Sequence, residues 1–189
     1  MNILTQSLPT AVLIGDTEYQ INSDFRDCLN VILAFEDPEL TGFEKQMILL
    51  DILYPEQPDD LQAAFAQGVK FMNGGKDVDE EEGGGPRLYS FEKDASLIFA
   101  AFRQTHGIDL ETAQLHWWKF LALFMDLGAD TTFCNLVGLR KRVKTGKATK
   151  EERQVVEEMG DMFIIPEPDD RTPEEREQEE NFLRMVGAK

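Results

Sequence analysis

LHWWKFLALFM, residues 115–125, is the most apolar stretch of this sequence. Wound as a helix, it is apolar around most of its circumference, which is typical of a helix at the centre of a domain. One side would carry Leu115, Trp118, Leu121, Ala122 and Met125, and the other Trp117, Phe120, Leu123 and Phe124. The sequence therefore predicts a helical core built around this segment, with the helix beginning at Asp109 or Glu111 and ending at Gly128.

Apolar residues recur at helical spacing on both sides of this segment. Start and stop signals predict helices over residues 23–37, 41–55, 58–72, 90–107, 131–142 and 149–162. Thr41 with Glu44 and Thr149 with Glu152 match the capping box of a helix start. Ser23 and Ser90 are the expected N-caps of two other helices. The apolar side chains expected to face inward include Phe43, Leu61, Phe65, Val69, Met72 and Phe99.

The predicted fold is mainly α, a helical bundle-like domain over residues 1–166 with a short N-terminal β-hairpin. Two β-prone runs, Ala11–Ile14 and residues 18–22, flank a Gly-Asp turn and predict the hairpin. Residues 73–86, NGGKDVDEEEGGGP, combine glycines and acids without aromatics, so a mobile acidic loop is expected inside the domain. Residues 167–189 are expected to form an acidic C-terminal tail with a short helix.

Length and composition favour one soluble domain. A chain of 189 residues with 42% hydrophobic content can bury one core. No apolar run reaches the roughly 20 residues of a membrane helix, and residues 1–10 lack the regions of a secretion signal. The two cysteines, Cys28 and Cys134, lie in apolar periodic segments, where free buried thiols in a reducing compartment are expected.

Motifs that define enzymes and metal sites are missing from the sequence. It has no GxxxxGK[ST], no GxGxxG after a strand and no GxSxG. The spacing of its two histidines, His106 and His116, matches no zinc motif, and His116 beside two tryptophans is expected to be structural. We therefore expect no enzyme activity and no cofactor, and binding to another protein instead.

The charge is unevenly distributed. A formal net charge of −17 repels nucleic acid and anionic membranes. One basic island nevertheless lies between the acidic segments; it consists of Arg140, Lys141, Arg142, Lys144, Lys147, Lys150 and Arg153. Two interpretations stay open: the island docks a partner, or it pairs with acidic segments of its own chain.

The aromatic run at residues 115–120 also has two interpretations. Large aromatic side chains bury much area, which favours core packing. Alternatively, one face of the helix forms an exposed groove for a partner helix. Under this second interpretation, and with the basic island included, the expected partner-binding residues are Trp117, Trp118, Lys119, Phe120, Arg140 and Arg142.

Four sequence blocks together resemble the signature of a known phage family. They are YSFEKDA (residues 89–95), IFAAF (98–102), GIDL (107–110) and LHWWKF (115–120). The block is similar to the gp-fifteen family of tailed phages and prophages of Gram-positive bacteria, whose members look like tail assembly chaperones. The resemblance covers at least residues 11–142. It implies a non-catalytic protein in the host bacterial cytoplasm that binds the tape measure protein, helps to recruit tail tube subunits and leaves before the virion matures.

Two alternatives to the chaperone remain at this point. The first is a structural tail or connector component that is retained in the virion. The second is a regulatory protein that contacts nucleic acid through the basic residues 140–153, which the net charge disfavours. No membrane partner is expected, and the sequence leaves the oligomeric state open.

Overall fold

A computed structural model of the chain describes residues 3–77 and 86–165. These residues form a hairpin of β1 (Ala11–Ile14) and β2 (Thr17–Gln20), seven α-helices and a 3-10 turn at Gly160–Met162. The helices are α1 (Phe25–Glu36), α2 (Gly42–Leu53), α3 (Leu61–Met72), α4 (Ala95–His106), α5 (Trp117–Met125), α6 (Thr132–Lys144) and α7 (Lys150–Met159). The predicted mainly α fold with an N-terminal hairpin is confirmed. Most of the expected acidic loop, residues 78–85, and the whole expected C-terminal tail lie outside the described residues.

The hairpin has the two-residue turn that its sequence predicts. β1 and β2 pair antiparallel with Ile14 opposite Thr17, which leaves Gly15 and Asp16 as the turn. Gly15 has a φ of 59°, whereas Asp16 does not have a positive φ. A positive φ at the first turn position alone defines a type II′ turn, for which glycine is favoured.

Local capping signals were sufficient to locate several helix ends. Both predicted capping boxes are present, with Thr41 and Glu44 at the start of α2 and Thr149 and Glu152 at the start of α7. Gly107 follows α4 in the left-handed conformation, with a φ of 68°. These ends depend on residues that are neighbours in sequence, which is why the sequence predicts them.

Two predicted N-caps are wrong. α1 is capped by Asp24 rather than Ser23, and the Asp24 carboxylate accepts a hydrogen bond from the Arg26 backbone N–H at 2.9 Å. α4 begins after Asp94, because a turn precedes it in which the Ser90 N–H donates to Asp94 Oδ2 at 3.1 Å. In α1 the aspartate next to the serine provides the capping acceptor, and either residue type suits an N-cap. The Asp94 side chain makes no capping bond to α4, and Ser90 Oγ accepts from the Lys93 N–H at 3.3 Å within the preceding turn.

The predicted inward faces also need correction. Phe43 is 71% exposed, Leu61 40% and Phe99 41%. In α3 the buried positions are Ala64, Gly68 and Phe71. Small residues let α3 approach α2 so closely that a Cβ added at Gly68 would lie 2.7 Å from a methyl group of Leu49. Phe65, Val69 and Met72 are partly buried and pack against the core as predicted, so the predicted face of α3 is wrong only at Leu61.

The centre of the core is an aromatic cluster around α5, in agreement with its predicted central place. Phe120 is fully buried. Its ring stacks on Phe25, Phe102 and Trp117, with centroids 5.1, 4.9 and 5.6 Å away. Large rings in such contact add to the area that they bury. α5 thereby holds α1 and α4 around one side chain.

A buried ion pair joins three further segments. Arg140 in α6 and Asp94 before α4 are 1% and 2% exposed, and both oxygens of the carboxylate accept from the guanidinium at 2.6 and 3.0 Å. The other N–H groups of Arg140 donate to the carbonyls of Leu88, Met162 and Phe163. All five donors of the guanidinium are thus satisfied, and α6 is tied to residues 88–94 and to the end of the described chain.

This pair predicts a large effect of the substitution Arg140→Met. The change leaves a buried carboxylate without its partner and three carbonyls without their donor, so it should lower the free energy of unfolding by about 3–5 kcal/mol. Urea unfolding followed by circular dichroism measures the change. Arg153→Met on the exposed side of α7 is the matched control, expected within about 0.5 kcal/mol of wild type. Equal effects of the two substitutions would contradict the role of the pair.

Candidate partner-binding surfaces

Residues 115–120 connect parts of the chain that are distant in sequence. The Phe25 N–H donates to the Leu115 carbonyl at 3.0 Å, and the Trp117 N–H donates to the Ser23 carbonyl at 2.7 Å. Asp24 and His116 form an isolated antiparallel bridge. This pairing with the start of α1 delays the start of α5 to Trp117, which corrects the predicted start at Asp109 or Glu111.

His116 is the N-cap of α5. Its Nδ1 accepts a hydrogen bond from the Trp118 N–H at 3.0 Å, and its Nε2 lies 2.8 Å from the Pro9 carbonyl. A carbonyl only accepts, so Nε2 carries the proton and the ring is neutral. Burial lowers the pKa of His116; the bond to Pro9 opposes this and nearby Lys119 adds to it. The expected structural role of this histidine is therefore supported by its contacts.

The two tryptophans bind the end of α3. Trp117 Nε1 donates to the Met72 carbonyl and Trp118 Nε1 to the Phe71 carbonyl, each at 2.8 Å. The last carbonyls of a helix lack partners within the helix, so these indoles satisfy two of them. A Cβ added at Gly75, whose φ is 84°, would lie 2.7 Å from the Trp118 ring. The close contact explains why a glycine follows α3 at this point.

The six predicted partner-binding residues differ in how far their side chains are exposed. Trp117, Phe120 and Arg140 are at most 2% exposed, which corrects the expectation that these three side chains face a partner and supports the core-packing alternative. Trp118 is half-buried, and Lys119 and Arg142 are exposed. For these last three residues, contact with a partner stays a prediction.

Two of the three arginines of the basic island pair within the chain. Arg140 binds Asp94, and Arg142 Nη2 lies 2.7 Å from Glu152 Oε1. Hydrogen bonds from the Thr149 N–H and from Arg142 lower the pKa of Glu152, so this carboxylate is charged near neutral pH. At these two positions, the contacts favour the interpretation in which the island pairs with its own chain.

Apolar clefts are the surface features that could receive a partner. One cleft of about 480 Å³ is lined by Ile3, Gly74, Gly75, Lys76, Trp118 and Leu121. A second, of about 400 Å³ between α2 and α3, is lined by Phe43, Gln46, Met47, Leu50, Leu61, Gln62 and Phe65. The sequence does not indicate the second cleft, because helical spacing predicts Phe43 and Leu61 to face inward. Helical periodicity marks an apolar stripe, but it does not tell whether the fold covers that stripe.

The described residues contain little that points to catalysis or to a metal. Within residues 3–77 and 86–165, no group of three or more His, Cys, Asp or Glu side chains could hold a metal ion. Cys28 and Cys134 are free, and burial raises the pKa of the Cys28 thiol, so that it stays protonated. None of the described helices has the length and apolar character needed to cross a bilayer.

These features define an acidic, mainly helical protein whose described surface offers apolar clefts. Residues 4–164 match the model of the family described as Bacteriophage Gp15 protein, and the chain belongs to this family. The match confirms the family resemblance of the sequence and supports a structural or morphogenetic role in a phage; the Gram-positive host stays a prediction. No curated protein and no solved structure matches the chain.

The burial of Trp117 predicts that it stabilises the fold. Trp117→Ala should lower the free energy of unfolding by roughly 3–5 kcal/mol, because it removes a packed ring and leaves a cavity. Lys119→Ala in the same helix is the exposed control, with an expected change within about 0.5 kcal/mol. Thermal and urea unfolding provide the measurement. A Trp117 variant as stable as the Lys119 variant would contradict the core assignment.

The lowered pKa of His116 predicts a pH dependence of stability. The unfolded chain takes up a proton near the ordinary histidine pKa of about 6.5, whereas the folded chain resists it, so stability is lost as pH falls below that value. His116→Asn keeps a capping side chain that does not titrate. Between about pH 7.5 and about pH 5.5, the variant should lose less unfolding free energy than wild type. Identical losses would show that His116 does not contribute.

Proposed function

We propose that this protein is a non-catalytic tail assembly chaperone that binds the tape measure protein during phage tail morphogenesis. The observation that carries the proposal is a set of exposed apolar side chains on the acidic surface of a phage-family protein. Phe43 is 71% exposed, Met125 82% and Leu13 60%. Contiguous apolar surface, as in the clefts lined by Trp118 and by Phe43, favours binding of a partner's apolar surface.

The charge supports the same proposal. A chaperone for amphipathic helices needs apolar contacts for its client and a surface that keeps the complex in solution. The net charge of −17 supplies strong mutual repulsion between complexes. Tail tube subunits are the second partner in this proposal, and the host bacterial cytoplasm is where the protein acts.

A structural tail or connector component is the second candidate, since the same apolar surfaces would also suit a permanent interface. The two candidates differ in whether the protein is retained in the mature virion. Mass spectrometry of purified virions should find no chaperone, but it should find a retained component in a fixed ratio to the other tail proteins. The nucleic-acid alternative is weaker, because Arg140 and Arg142 already pair within the chain.

Co-expression with the tape measure protein of the same phage tests the proposal. The tape measure protein should move from the insoluble to the soluble fraction and co-purify with this chain, since its apolar helices are covered. The tape measure protein expressed alone is the baseline, and co-expression with an unrelated helical protein of similar net charge is the control. An insoluble tape measure protein in both co-expressions would overturn the proposed function.

A further inference from the structure

The cleft between α2 and α3 has the shape of a groove. Phe43, Met47 and Leu50 follow one another along α2, and Leu61 and Phe65 along α3. Residues at such spacings lie above one another on a helix face, so the apolar walls run along the two helices. The space between them is about 400 Å³. A groove of this form fits an elongated apolar object, such as one stripe of another helix.

The fold leaves the most outward side chains of this groove uncovered. The buried residues of α2 are Leu49, Leu50 and Leu53, and those of α3 are Ala64, Gly68 and Phe71. Phe43 and Leu61 are not among them, at 71% and 40% exposed. Because the core is packed through other positions, covering Phe43 and Leu61 would add buried apolar area without rearranging the domain.

The chain segment that forms the groove is rich in acidic residues. Residues 39–62 carry the exposed acids Glu39, Glu44, Asp51, Glu56, Asp59 and Asp60. Lys45 is the basic residue of this stretch, and its Nζ donates to the Phe35 carbonyl at 3.1 Å. On α2, Glu44 is adjacent to Phe43 and Asp51 lies one helical turn beyond Met47. An apolar occupant with positive charges beside its apolar stripe would therefore complement the groove.

We propose that the α2–α3 groove docks an amphipathic helix that carries lysines or arginines on both sides of its apolar stripe. The proposal deepens the proposed function and rests on it only for the protein that supplies the helix. A second copy of this chain is a poor occupant, because a net charge of −17 makes two copies repel each other. Nucleic acid and anionic membranes are repelled by the same acids.

A pair of synthetic peptides with the same apolar stripe tests the effect of the flanking charge. The first has leucines at i, i+3, i+4 and i+7 with lysines on both flanks, and in its twin every lysine is a glutamate. Fluorescence anisotropy with the full chain should show the lysine peptide binding at least about tenfold more tightly, with an affinity that falls as salt is raised. Equal affinities of the two peptides, or binding of neither, would overturn the proposal.

Two sets of variants locate the binding. Phe43→Ser with Leu61→Ser should weaken binding of the lysine peptide by at least about tenfold. The matched control, Phe99→Ser with Val155→Ser, removes exposed apolar side chains from α4 and α7, which are 41% and 46% exposed, and should leave the affinity unchanged. Asp51→Asn with Asp59→Asn should weaken binding and reduce its salt dependence, whereas Glu18→Gln with Glu157→Gln should not. Circular dichroism checks that each variant folds, and Phe43→Ser alone replaces the double variant if it does not.

The same variants separate this proposal from the proposed function. If the Phe43 and Leu61 variant still solubilises the tape measure protein and still binds the lysine peptide, the groove assignment is overturned and the chaperone stands. If the groove variant loses the lysine peptide while even the wild type fails to solubilise the tape measure protein, the groove stands and its partner is another protein. Concentration-dependent dimers of wild type that the groove variant abolishes would identify a second copy as the occupant and overturn the proposal.

Discussion

The fold depends on the hydrogen bonds that two adjacent indole N–H groups donate. Trp117 donates to the carbonyl of Met72 and Trp118 to the carbonyl of Phe71, at the end of α3. Because buried donors are nearly always paired and both indoles have their acceptors there, these bonds hold the first turn of α5 against the end of α3. Once α5 is held there, Phe120 lies at the centre of the aromatic cluster. One local sequence block thereby joins α1, α3 and α4.

The sequence was sufficient where neighbouring residues determine the structure. The capping boxes at Thr41 and Thr149 and the glycine after α4 involve contacts within a few residues, so their pattern is visible in a single sequence. The start of α5 depends on a bridge between Asp24 and His116. Such a contact joins distant parts of the chain, and no local sequence pattern predicts it.

The candidate surface was harder to predict for a related reason. Periodicity showed that α2 and α3 are amphipathic, but the small residues Ala64 and Gly68 decide which stripe of α3 meets the core. Arg140 illustrates the same difficulty for charge. Its place in a basic run is compatible with docking a partner or with pairing inside the chain, and only the three-dimensional position of Asp94 accounts for its burial. Exposure is a property of the packed domain and follows only in part from the sequence of one helix.

The residues that stabilise the fold differ from those proposed to bind a partner. The Trp-rich block that carries the family resemblance is used inside the domain, where Trp117 and Phe120 are buried. Its residues therefore identify the fold of the family more directly than they identify a binding surface. In our proposal a partner contacts other residues instead, among them Phe43 and Leu61, which the fold leaves exposed. In this protein the motif that identifies the family and the proposed binding groove therefore lie in different places. Close packing of the core requires specific aromatic side chains, whereas a groove requires only exposed apolar side chains.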